Sequence, residues 1–149
     1  MEKRRLAAIM FTDIVGYTRL MGQDEEKALS LLDKNREIHQ LSLEKNNGKL
    51  LKELGDGMLC SFESASNAVN SAIFLVQNAH SIKGSKLRIG IHLGEVIFSH
   101  TDVFGDGVNI ASRIESIAIP NSVLISGKVY DEIKNKQNLK TKLIGTLNL

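Results

Sequence analysis

Two apolar runs in this chain each give way to an aspartate, and that pairing restricts both the fold and the chemistry. Arg5–Phe11 is a continuous apolar run that suits a strand covered on both faces, and it leads through Thr12 into Asp13. Lys49–Leu54 and Met58–Phe62 flank Gly55-Asp-Gly57, a tight-turn signal that predicts a β-hairpin with Asp56 at its tip. A carboxylate at a strand end is rigidly aimed yet open to solvent, as a hard divalent cation requires. Two such aspartates can share a pair of metal ions, and paired metals suggest chemistry at phosphorus.

The remaining segments complete a mixed α/β (α+β) reading. Gly16 and Gly22 loosen the segment after Asp13. From Asp24 to about Asn46 the pattern is helical, with Ala28, Leu31, Leu32, Ile38 and Leu41 on one stripe and Asp24 as the N-cap. Asn46-Asn-Gly48 ends that helix. Ala65, Ala68, Val69, Ala72, Ile73 and Val76 fall at helical spacing, and Gly84 breaks the pattern. Leu87, Ile89, Ile91 and Leu93 alternate with Arg88, Gly90, His92 and Gly94, which predicts a strand covered on one face. Gly105–Ile117 reads as a helix stopped by Pro120, Val123–Ile125 as a short strand, Lys128–Lys134 as a short helix and Lys140–Leu147 as a last strand.

The order β-α-ββ-α-β followed by βα-β is that of a ferredoxin-like sandwich. Such a fold has a mostly antiparallel sheet with helices on one face, leaving the other face for a partner or a substrate. One domain, 1–149, accommodates all of these elements.

Composition narrows the function. A net charge of +2 is too small to argue for nucleic acid or an anionic membrane. No apolar run approaches the ~20 residues of a membrane span, and Leu6–Phe11 is too short for a signal peptide. The lone Cys60 excludes an internal disulfide, fits a reducing compartment (the cytoplasm, or the cytoplasmic side of a membrane-anchored parent protein), and reads as a small buried hydrophobe. His39 and His80 are expected on solvent-facing helix positions, and His92 and His100 flank the fourth strand without a metal-spaced cluster.

Three segments carry a resemblance: Phe11–Thr18, Lys52–Asp56 and Asp102-Val-Phe-Gly-Asp-Gly-Val-Asn-Ile-Ala-Ser-Arg113. In order and spacing they resemble the signature segments of the class III nucleotidyl cyclases, the catalytic domains of most adenylyl and guanylyl cyclases. The resemblance implies that Asp13 and Asp56, with the Ile14 carbonyl, hold two Mg2+ or Mn2+ ions. One ion would lower the pKa of the ribose 3′-hydroxyl and the other would bind the triphosphate. The turn through Gly16, Tyr17 and Thr18 would offer backbone N–H groups to phosphate oxygens.

Lys52 and Asp102 match the family's base-reading positions. A lysine donor and an aspartate acceptor complement the N1 acceptor and 6-amino donor of adenine, whereas guanine presents the reverse. By the same resemblance Asn109 orients the ribose, and Arg113 neutralises charge on the α-phosphate in the transition state. Family members act as head-to-tail dimers. Lys52, Asp102, Asn109 and Arg113 of one copy would complete a site with Asp13 and Asp56 of the other, so a homodimer has two equivalent sites.

The expected activity is adenylyl cyclase, converting ATP to 3′,5′-cyclic AMP and pyrophosphate. The rival readings are a guanylyl cyclase and a degenerate nucleotide-binding or dimerisation module. A diguanylate cyclase is disfavoured because no Gly-Gly-Asp/Glu-Glu-Phe segment is present. In the family a triphosphate-binding lysine and a last strand follow a segment like Leu143–Leu149, so weak triphosphate affinity is expected of a chain ending at Leu149.

Overall fold

The computed structural model describes residues 2–82 and 85–145. Its elements run β1 (Lys3–Ile14), α1 (Tyr17–Gln23), α2 (Glu25–Lys45), β2 (Lys49–Leu54), β3 (Gly57–Phe62), α3 (Ala65–Ala79), β4 (Leu87–Phe98), β5 (Val103–Phe104), α4 (Asp106–Ser116), β6 (Ser122–Ile125) and α5 (Gly127–Ile133). The strands form a six-stranded sheet in the order β2-β3-β1-β4-β5, with β6 also on β4. Among the described residues only the β4–β6 pair is parallel. The mixed α+β class and the mostly antiparallel sheet are therefore as the sequence indicates.

Local signals account for the helix ends. The Asp24 carboxylate accepts from the Lys27 N–H at 3.0 Å, and Ser64 caps α3 in the same way. At the far end of α2, Asn47 takes a left-handed conformation (φ 53°) and the Gly48 N–H returns to the Leu43 carbonyl.

β1 lies mid-sheet with apolar side chains on both faces. Ala8, Met10 and Ile14 join a core with Leu31, Leu32, Ala68, Ala72 and Leu75 beneath α2 and α3. Ala7 and Ile9 join a second core with Leu59, Val96, Val108 and Ala111 beneath α4. Each fully buried Ile, Met or Leu contributes about 1.5–3 kcal/mol, so a strand buried twice over is a firm anchor for whatever its end carries.

That second core corrects the expectation that all helices share one sheet face: α4 covers the other. β4 is consequently buried on both sides at Ile89, Gly90, Ile91 and His92 rather than half-covered. Gly90 makes this possible, since any Cβ there would collide with the backbone of Glu115 in α4.

Some further expectations change, and others fall partly or wholly outside the described residues. Leu41 is half exposed, and the inner stripe of α2 continues instead through Asn35, His39 and Ser42, so His39 is buried rather than solvent-facing. The segment from Tyr17 forms α1 despite Gly22, and the two-residue β5 was not foreseen. The last strand over Lys140–Leu147 is absent from residues 140–145, and its end lies outside the described residues. α3 ends at Ala79, and Gly84, expected to break it, also lies outside them.

His80 and His100 are exposed. Cys60 is fully buried, and burial pushes its thiol up to about 12. Among the described residues no helix is long and apolar enough to cross a membrane.

Candidate active site

Sheet register brings the two strand-end aspartates together. Asp13 lies opposite Gly57 of β3, and the Ile14 N–H donates to the Asp56 carbonyl at 3.3 Å. The β2–β3 turn is thereby fastened beside the end of β1. On the other side Asp13 lies opposite Arg88 of β4, whose Nε stands 3.5 Å from Asp13 Oδ1. Glu115, nearly buried on the last turn of α4, closes the cluster.

These carboxyls feel burial and one another. Loss of solvent, then the charge of Asp13, raises Asp56 above the usual carboxylate range, opposed in part by Arg88. Burial raises Glu115 further, to about 8, helped by its hydrogen bond to Asp13 and by the charge there.

The two base-reading candidates meet although their strands lie far apart in the sheet order. Lys52 Nζ is 2.7 Å from Asp102 Oδ1, and both side chains are substantially exposed. Lys52 stands opposite Leu59 on β3, just past a register shift in β2. Asp102 sits in the β4–β5 loop, pinned by the Val103 N–H at 2.8 Å and by the bond from the Ser99 N–H to its carbonyl. The hydrogen bond from Lys52 holds the Asp102 carboxyl below its ordinary range.

Asn109 and Arg113 occupy successive turns of α4 on its exposed side, while Val108 and Ala111 bury the opposite side. Their exposed side chains have no hydrogen-bonding or ion-pair partner among the described residues. Gly16 precedes α1 in a left-handed conformation (φ 76°) that a non-glycine residue adopts poorly. α1 has no side-chain cap, so the N–H groups of its first turn, at Tyr17 and Thr18, lack helical partners. The expected turn over Ile14–Thr18 is present at Val15 and Gly16, and Tyr17 and Thr18 begin the helix.

The donor set fits a hard divalent cation. Asp13, Asp56 and the Ile14 carbonyl offer only oxygen, and buried Oδ1 of Asp13 has no hydrogen-bond partner. Among the described residues no group of three or more His, Cys, Asp or Glu side chains gathers in metal-holding geometry. The remaining ligands would therefore come from backbone, solvent and a bound phosphate, the usual arrangement for Mg2+.

Sequence reasoning passed over Arg88 and Glu115. Glu115 had a readable signal, because it follows Val108 and Ala111 at i+7 and i+4 on the buried stripe of α4. Arg88 had none without the register that sets it against Asp13.

Comparison with known proteins identifies the family. The family model of the adenylate and guanylate cyclase catalytic domain matches residues 1–149. The chain is 39% identical over 135 residues to an adenylate cyclase of Streptomyces coelicolor, covering 89% of this chain and 35% of that protein. It is 35% identical over 131 residues to an adenylate cyclase of Streptomyces griseus, covering 87% and 33%. It thus spans about a third of the length of these relatives. An adenylate/guanylate cyclase/hydrolase from Silicibacter pomeroyi superposes with a TM-score of 0.88 at 30% identity, covering 97% of this chain and 89% of that one. The chain belongs to the adenylate and guanylate cyclase catalytic domain family.

Proposed function

We propose that residues 1–149 form one catalytic domain that converts ATP to 3′,5′-cyclic AMP and pyrophosphate, in a head-to-tail homodimer with two shared sites. The observation that carries the choice of ATP is the Lys52–Asp102 pair at 2.7 Å. A cationic donor and an anionic acceptor within one hydrogen bond of each other match the adjacent N1 and 6-amino groups of adenine. Guanine would place a donor against Lys52 and an acceptor against Asp102, leaving both side chains mismatched. The adenylate cyclase names of the Streptomyces relatives point the same way.

In the reaction the ribose O3′ bonds to the α-phosphorus, the bond from that phosphorus to the bridging oxygen breaks, and pyrophosphate leaves. The 3′-hydroxyl proton passes to solvent. Asp13, Asp56 and the Ile14 carbonyl would hold two Mg2+ or Mn2+ ions, which when bound acidify the 3′-hydroxyl and stabilise charge on the phosphates. Arg113 supplies a permanent positive charge to the α-phosphate, and Asn109, one turn earlier, holds the ribose. The first-turn N–H groups at Gly16, Tyr17 and Thr18 receive phosphate oxygens. Such a substrate places the domain in the cytoplasm or on the cytoplasmic side of a longer parent protein.

The reading is tested by incubating the chain at high concentration with Mn2+ and either ATP or GTP. Cyclic AMP from ATP with little product from GTP is expected; preferential cyclic GMP would overturn the base assignment. Asp13→Ala and Arg113→Ala chains should each be inactive, yet regain partial activity when mixed, because one heterodimer site is intact. No recovery in demonstrated heterodimers would sink the shared site.

A further inference from the structure

Asp13 already faces a cation. The antiparallel register of β1 and β4 sets Arg88 directly across from it, with Nε 3.5 Å from Oδ1. That distance makes an ion pair without a hydrogen bond, and both atoms are buried with no hydrogen-bond partner. The side chains are only 33% and 27% exposed, so the charges are partly desolvated. Asp56 from the hairpin and Glu115 from α4 also lie within reach of the Arg88 charge.

A guanidinium seated beside a carboxylate normally binds it through two short parallel hydrogen bonds. Here that geometry is not achieved, although the register fixes both strands. The pairing therefore neutralises charge without locking the carboxylate oxygens. An arginine suits this because it stays charged in a partly buried setting.

We propose that Arg88 is a positioning residue: a resident counter-ion that steadies Asp13 until divalent cations bind and opposes their binding enough to set the concentration at which the site loads. The proposal rests on the assignment of Asp13 to metal. A tight hydrogen-bonded pair would compete too strongly, and no counter-ion would leave Asp13 and Asp56 repelling each other across the hairpin. The loose pair satisfies both demands.

The test is Mn2+ binding by the full chain without nucleotide, followed by the electron paramagnetic resonance signal of free Mn2+. Arg88→Gln removes the charge and Arg88→Met also keeps the apolar stem, so one can stand in for the other if either folds poorly. Either should bind Mn2+ roughly tenfold more tightly, a small part of what Coulomb's law gives at this separation because the pair is partly solvated. Arg88→Lys should stay near the unaltered chain. A purely structural Arg88 would change the melting temperature and leave Mn2+ affinity where it was. Unchanged or weaker affinity in folded neutral variants overturns the proposal. If Asp13→Asn weakens Mn2+ binding in that same series, the metal assignment survives and only the role of Arg88 falls. If Asp13→Asn has no effect, the metal assignment falls with it.

Discussion

Thr12 and Asp13 are neighbours on β1 whose side chains face opposite sides of the sheet, and they sit in opposite kinds of surroundings. Behind the sheet, Thr12 is 1% exposed and its hydroxyl lies 2.8 Å from His39 Nε2. The other ring nitrogen, Nδ1, donates to the Asn35 carbonyl, also at 2.8 Å. A neutral imidazole with its proton on Nδ1 therefore satisfies both bonds, with Thr12 as donor to Nε2. On the α4 side, Asp13 keeps a buried oxygen without a hydrogen bond, beside two acids and an imperfectly placed arginine. The Asn35 carboxamide is itself buried without a partner, so the rear side is not free of strain. Even so, Thr12 and both His39 nitrogens are paired within the fold, whereas Asp13 Oδ1 and Arg88 Nε in front are not. Buried polar groups that are satisfied specify a fold, and an unsatisfied group gathered with other charges is a candidate for binding.

The largest effect expected from breaking this contrast is on the Asp13 side. Asp13→Asn keeps the shape and removes the charge. Cyclic AMP formation should fall by roughly a thousandfold or more, while the melting temperature without metal changes little. A variant that keeps most of its activity would remove Asp13 from the metal assignment.

Acid should separate the two sides next. Burial lowers His39 to about 4 from its ordinary 6.5, so the unfolded chain takes up the proton first. The stability that neutral His39 secures is complete above about pH 6.5 and is lost as the pH falls toward 4. At 1.36 kcal/mol per pH unit the loss approaches roughly 3 kcal/mol. Glu115 works in the other direction: its raised folded pKa means stability present below its ordinary 4.5 and lost as the pH climbs toward 8. The two trends overlap in the whole protein, so the measurement is urea unfolding of the chain and of His39→Gln across this range. The difference between them should shrink on acidification. A constant difference would mean that His39 is not held neutral by the fold.

The sequence made much of this legible, and unevenly. β1, the hairpin and α3 rest on local patterns, such as the uninterrupted apolar run before Asp13 and the Gly55-Asp-Gly57 turn. The burial of His39 was missed because apolar Leu41 outweighed it in reading the α2 stripe. Yet Ala28, Leu31, Leu32, Asn35, His39 and Ser42 follow helical spacing, and a polar inner stripe is tolerable only because β1 supplies Thr12. The candidate positions Lys52, Asp102, Asn109 and Arg113 came from family resemblance. The 2.7 Å contact between the first two depends on how a loop folds across the sheet. Arg88 was invisible for the same reason, because strand register is a tertiary property.

The smallest expected effect is the most discriminating. Thr12→Val preserves the β-branched shape and β propensity of Thr12 but deletes the hydroxyl that donates to His39. Nε2 is then left buried without a partner, which should lower unfolding free energy by about 1–3 kcal/mol. Because Thr12 points away from the site, kcat measured well below the melting temperature should stay close to that of the unaltered chain. Urea unfolding and initial rates on one preparation check both halves. If activity falls with stability unchanged, the two faces of β1 are coupled through the backbone at Asp13, and the rear network belongs to the site. If stability falls with activity intact, the alternation of one strand suffices to keep structure and chemistry apart, one residue from each other.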